Sequence, residues 1–154
     1  MDEKGYIIDW MKHFLNSRNL IFKTIETIEP HERYDLYVKH KTKDQYVLAE
    51  PYFGLNTIGK LSADKHIILA GFNTEENFQF LVERWKQLAA LPNLSVYIIN
   101  PLSEPDTKWV ISPYVHQRIC DNSSLKTGLR AMFETVQVIT REQIKSLINQ
   151  QPSF

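Results

Sequence analysis

Residues 67–71, Ile-Ile-Leu-Ala-Gly, form an apolar run with no polar position that could turn toward water. The run is far below the ~20 residues a membrane-crossing helix requires. It is what a strand covered on both faces looks like, and such strands belong to sheets layered with helices. The neighbouring pattern supplies the rest of the sheet. Three β-rich runs, 20–28, 33–40 and 45–53, are separated by Glu29-Pro30-His31 and Lys41-Thr42-Lys43-Asp44, which predicts an antiparallel meander. Residues 66–72 follow as the strand that leaves the meander three- or four-stranded, 94–100 as a second strongly apolar strand, and 109–115 as a further β run.

Helices frame these strands. Ile7, Ile8, Met11, Phe14 and Leu15 recur at helical spacing over residues 5–17, with Asp2 and Glu3 at the end where a helix dipole favours negative charge. Asn73, with Glu76 three residues on, predicts the start of a second helix whose stripe is Phe78, Leu81, Val82, Trp85 and Leu88, closed by Pro92. Ser123 or Ser124 opens a third, carrying Leu125, Leu129, Met132, Phe133 and Val136 on one face. Thr140 with Gln143 makes a capping box before Ile144, Leu147 and Ile148. The expected fold is therefore mixed α/β, with a strand after the long helix running parallel to an earlier one through a right-handed crossover.

At 154 residues the chain is expected to be one domain, 1–154, able to bury roughly 68–70% of its unfolded surface. Its 18 basic and 18 acidic residues cancel, so no chain-wide field draws it to nucleic acid or an anionic membrane. Asp2, Glu3, Lys4 and Asp9 break up any secretory core near the start, and the single Cys120 has no internal disulfide partner, which together lead us to expect a cytoplasmic protein without a membrane partner. Glycine-rich phosphate loop, CxxC, HExxH and nucleophile elbow are all missing from the sequence. His116 and Cys120 stand four apart as a conceivable nucleophile pair, although a lone cysteine is more often a small buried apolar residue. The five histidines include no pair at metal-ligand spacing within one element.

One constellation carries chemistry. A turn centred between Thr42 and Lys43 sets Val38 against Val47, Leu36 against Ala49 and Tyr34 against Pro51, giving one apolar face expected to pack near Phe78, Leu81, Val82 and Trp85. The other face then opposes Asp35 to Glu50, Arg33 to Tyr52, Tyr37 to Leu48 and Lys39 to Tyr46. Facing carboxylates on adjacent strands destabilise a sheet unless a cation lies between them, and Mg²⁺ is commonly held by one or two carboxylates with phosphate and water. Solvated carboxylates paired with Arg33 and Lys39 are the plainer alternative.

A helix, a meander with Tyr34-Asp35-Leu36 on its second strand and Val47-Leu48-Ala49-Glu50 ending its third, then a helix and an apolar strand, resembles the restriction-endonuclease-like fold of the PD-(D/E)XK nuclease superfamily over about residues 5–100. The resemblance implies that Asp35 and Glu50 bind a catalytic Mg²⁺ and that a lysine two residues past the glutamate orients or activates water. That position is Tyr52, with Pro51 before it. Two outcomes are open. A displaced cation, Arg33, Lys60 or Lys65, stands in for the lysine; or the fold is kept without its chemistry. Arginine stays protonated, so Arg33 would stabilise charge or hold phosphate but not act as a base.

The expected function is thus a nuclease-like domain, with catalytic residues Asp35, Glu50, Arg33 and Lys60, either a Mg²⁺-dependent phosphodiesterase with an altered site or an inactive nucleic-acid-binding relative. Residues 108–154 hold six basic and three acidic residues, and Lys108, His116 and Arg118, with Lys39 from the meander, are the candidate nucleic-acid donors. From another class, a non-catalytic regulatory or assembly protein, acting as a homodimer or on a protein partner, fits the neutral charge.

Overall fold

The computed structural model describes residues 1–104 and 106–150. Its framework is one six-stranded sheet whose strands lie side by side in chain order: β1 (Ile25–Pro30), β2 (Leu36–His40), β3 (Asp44–Ala49), β4 (Ile67–Phe72), β5 (Leu94–Ile99) and β6 (Lys108–Ile111). The first three form the antiparallel meander. β3, β4 and β5 are mutually parallel, and β6 returns antiparallel to β5. The meander therefore has three strands, and β4 joins it in parallel.

Parallel neighbours require crossovers, and these set the layers. α2 (Leu55–Lys60) links β3 to β4, while α3 (Glu75–Glu83) and α4 (Trp85–Ala89) link β4 to β5. Ile58, Phe78, Leu81, Trp85 and Leu88 from these helices pack with Leu129 and Phe133 of α6 (Leu125–Phe133) on Leu48, Ile67, Leu69, Val96 and Ile98. The opposite face, Leu36, Val38, Val47, Ala49, Ile68, Ala70 and Phe72, is covered by α1 (Glu3–Phe22) and α7 (Arg141–Gln150) through Ile7, Met11, Leu15, Ile144 and Leu147. Every residue of β4 is buried, as its unbroken apolar run requires.

Several expectations are corrected. The meander's apolar face packs against α1 and α7, not against the Phe78–Trp85 stripe, which covers the other side; only Tyr34 joins the latter. α1 continues through Leu20, Ile21 and Phe22, placed in a strand by their β propensity, and stops at Lys23, whose left-handed φ of 53° turns its N–H back to the Asn19 carbonyl. The second helix is capped by Thr74, which accepts from the Asn77 N–H, rather than by Asn73. It also breaks at Arg84, whose ψ of 16° leaves the helical region. The run at 109–115 divides, since Pro113 fits the first turn of a helix and opens α5 (Pro113–Ile119). Thr140 and Gln143 do form the reciprocal capping box, with N–H bonds of 3.2 and 3.0 Å.

Candidate functional site

The β2–β3 register decides where the carboxylates lie. The observed pairs are Leu36 with Val47, Tyr37 with Tyr46, Val38 with Gln45 and Lys39 with Asp44, so the turn is centred between Lys41 and Thr42. Asp35 does not oppose Glu50, nor Arg33 Tyr52, Tyr37 Leu48 or Lys39 Tyr46. The expected register is displaced by two residues. Because side chains alternate with period two, an even displacement keeps every residue on its face, and the hydrophobic pattern is blind to it.

Asp35 nevertheless reaches β3. Residues preceding β2 form a turn in which His31 Nδ1 accepts from the N–H groups of Arg33 and Tyr34. That turn leaves the Asp35 N–H bonded to the Val47 carbonyl, while Asp35 Oδ2 accepts the Ala49 N–H at 2.7 Å. Its carboxylate takes a rung of the ladder that backbone would ordinarily fill, beside the residue before Glu50. The other oxygen, Oδ1, lies 3.3 Å from Lys4 Nζ at the start of α1.

Glu50 follows β3 and is held by main chain, its N–H donating to the Ala70 carbonyl. The chain then turns sharply against β4. A side chain on Gly71 would place Cβ 2.6 Å from the Glu50 carbonyl oxygen and 2.5 Å from the Phe53 ring, so only glycine allows this approach. Asn77 fastens the turn from α3: its amide donates to the Pro51 and Phe72 carbonyls, and its Oδ1 accepts from the Phe53 N–H. Asn73 does similar work deeper in, donating to carbonyls of Phe133, Val136 and Gln137 and accepting from the Trp109 indole. Thus Glu50 stands at the carboxyl end of a parallel strand, the usual place for ligands in open α/β sheets. Lys60, ending α2, sets Nζ 2.8 Å from Glu50 Oε1.

The two carboxylates, only 15% and 16% exposed, are each matched by a lysine, Asp35 by Lys4 of α1 on one face of the sheet and Glu50 by Lys60 of α2 on the other. Lys60 was expected to approach, and it does; Lys4 was missed, since nothing local links it to Asp35. Lys65 lies instead over the Tyr46 ring. Arg33 is exposed and lies 5.9 Å from the Tyr34 ring. Tyr52, where the resemblance calls for lysine, is covered by the Arg141 guanidinium 3.7 Å from its ring centre. Burial, with the Glu3 carboxylate close by, raises its phenol above the ordinary value, so it is no base near neutrality.

The expected nucleic-acid donors are not gathered on one surface. Lys39 pairs with Glu26 at 3.7 Å, Lys108 lies over Phe14 on the α1 side, and Arg118 stacks 3.3 Å from the Tyr114 ring. His116 meets the edge of Trp85 on the other side of the sheet. Its Nε2 is 3.3 Å from Cys120 Sγ, and burial lowers its pKa, which disfavours the imidazolium that a thiolate pair would need. Among the described residues no three His, Cys, Asp or Glu side chains are grouped as metal ligands, and no helix is long and apolar enough to cross a membrane. Comparison of the chain with protein-family models, curated proteins and solved structures finds no match.

Proposed function

We propose that the chain is a restriction-endonuclease-like domain performing divalent-metal-dependent phosphodiester hydrolysis, with Asp35, Glu50 and Lys60 as its site. The observation that carries this reading is the 2.8 Å contact between Lys60 and Glu50, which brings a flexible cation to the carboxylate that lacks one at position 52. The order of α1, meander, α2 and parallel β4 supports it.

The donor set fits Mg²⁺: two hard carboxylates, mostly buried, whose present counter-charges are lysines 39% and 41% exposed and free to swing outward. Asp35 Oδ1 and the Glu50 carboxylate would hold the ion, with Asp35 Oδ2 kept on the Ala49 N–H to fix its geometry. A bound ion would supply charge stabilisation at the phosphate and a more acidic water. Lys60 would then hold a phosphate oxygen or orient that water.

The test uses Asp35→Asn and Glu50→Gln, which keep the shapes and the Ala49 bond. Millimolar Mg²⁺ or Mn²⁺ should raise the parent's melting temperature and support cleavage of plasmid or single-stranded DNA or RNA, while both variants lose the two responses. A second reading rests on the internal pairing itself, since Lys4 and Lys60 already neutralise the carboxylates. On that reading the domain is non-catalytic and acts through a protein partner or a second copy, and the parent's melt ignores both ions.

A further inference from the structure

The sheet's other end holds a half-open cavity that this reading does not use. Between the last turns of α1 and the β2–β3 turn lies a cavity of about 340 Å³. Its wall is preformed. Asn19 joins α1 to β1 by accepting from the Ile25 N–H at 2.9 Å and donating to the Ile25 carbonyl, and Lys23 turns the chain between them. Gln45 bonds His40 Nε2 at 2.8 Å and fixes that ring at the rim.

The lining divides by chemistry. Phe22 and Ile25 offer apolar surface above the buried Leu15 and Ile68, and Arg18, His40 and Lys43 stand around it with no aspartate or glutamate among the lining residues. Neither Arg18 nor Lys43 has a carboxylate within ion-pair distance among the described residues. Arg18 is steadied by aromatic rings, its guanidinium 5.6 Å from Phe14 and 5.5 Å from Phe22. Two cations without carboxylate partners, beside apolar surface, suit an anion with an apolar body; a bare inorganic anion would leave that surface uncovered. The volume lies in the range that holds a ligand of drug or nucleotide size, about 300–1,000 Å³.

We propose that this cavity binds a small organic phosphate of mononucleotide size, its phosphate against Arg18 and Lys43 and its ring against Phe22 and Ile25. The site stands apart from Asp35 and Glu50 and holds whether or not they bind metal.

Titration calorimetry of the full chain with AMP and with inorganic phosphate tests it. AMP should bind at one site, about tenfold or more tighter than phosphate. Arg18→Gln and Lys43→Gln should each weaken AMP by about tenfold or more, with circular dichroism melts confirming the fold, because each removes a charged donor. Lys126→Gln, an exposed charge on α6, should leave it unchanged. Lys43 sits on an exposed turn, so its variant remains informative even if Arg18→Gln is unstable. Absence of saturable AMP binding, equal affinity for phosphate, indifference to both pocket variants, or the same loss in Lys126→Gln would overturn the proposal. So would oligonucleotides that bind better with each added nucleotide, which would make the cavity part of a polymer track.

Discussion

The two ends of the sheet handle polar groups in opposite ways. At the carboxyl ends of β3 and β4 three polar side chains are tied down: Asn77 by three bonds, Asp35 by an amide and a lysine, Glu50 by a lysine. At the hairpin end Arg18 and Lys43 lack carboxylates, and Leu20 and Ile21 leave α1 79% and 76% exposed. Side chains held by several bonds can keep a fixed geometry. An end with unmatched charge and uncovered apolar surface has capacity left for something else to bind.

That contrast predicts unequal sensitivity to substitution. Asn77→Ala should be the most damaging change, since it leaves the Phe53 N–H without its partner and takes the second bond from the Pro51 and Phe72 carbonyls, which keep the Phe72 and Thr74 N–H groups, at a cost of roughly 1–3 kcal/mol. A denaturant melt showing a loss below 1 kcal/mol would mean that the turn after Glu50 is not held in this way. Gly71→Ala forces the Phe53 ring and the Glu50 carbonyl apart and should cost about 1–3 kcal/mol. It should also weaken any divalent-ion response, because Glu50 moves with its backbone. Thr140→Ala, which removes one half of a capping box at the start of α7, should cost about 1 kcal/mol. By contrast Ile21→Lys and Lys43→Gln at the hairpin end should stay within about 0.5 kcal/mol of the parent.

The smallest effects are electrostatic and compare two tyrosines, one at each end. Burial raises both phenols, but Glu3 pushes Tyr52 further up whereas Arg18 pulls Tyr97 back down. In an alkaline titration followed by NMR, Glu3→Gln should lower the Tyr52 pKa and Arg18→Gln should raise that of Tyr97. A phenol whose folded pKa is raised stabilises the fold below its unfolded pKa, about 10, and the contribution fades as pH climbs through the folded value. Both parent tyrosines should therefore favour stability at pH 9 over pH 11.

What could be seen in the sequence follows the range of the interaction concerned. The Thr140–Gln143 box and the β4 run are local, and both appear where the pattern puts them. The β2–β3 register is local too, yet it was missed by two residues because hydrophobic alternation has no memory of even shifts. Thr74 and Asn73 compete for one cap, and tertiary contacts settle it: Asn73 is drawn into bonds with the chain after α6, which leaves the cap to Thr74. Asp35 and Glu50 are legible as a candidate pair, whereas Lys4 and Asn77 enter only through the packing of α1 and α3. No periodicity or spacing announces a contact between elements so far apart in the chain.

The bond from Ala49 to Asp35 also gives the site its own gauge. In a regular ladder an amide proton answers to a carbonyl and changes only when the strand opens. The Ala49 proton answers to a carboxylate, 2.7 Å away, whose other oxygen faces Lys4. Whatever exchanges that lysine for another cation redistributes charge across one side chain and shifts the amide resonance of the residue that ends β3. If the proposed ion binds Asp35, its arrival can thus be followed by one spectral line, without a reaction.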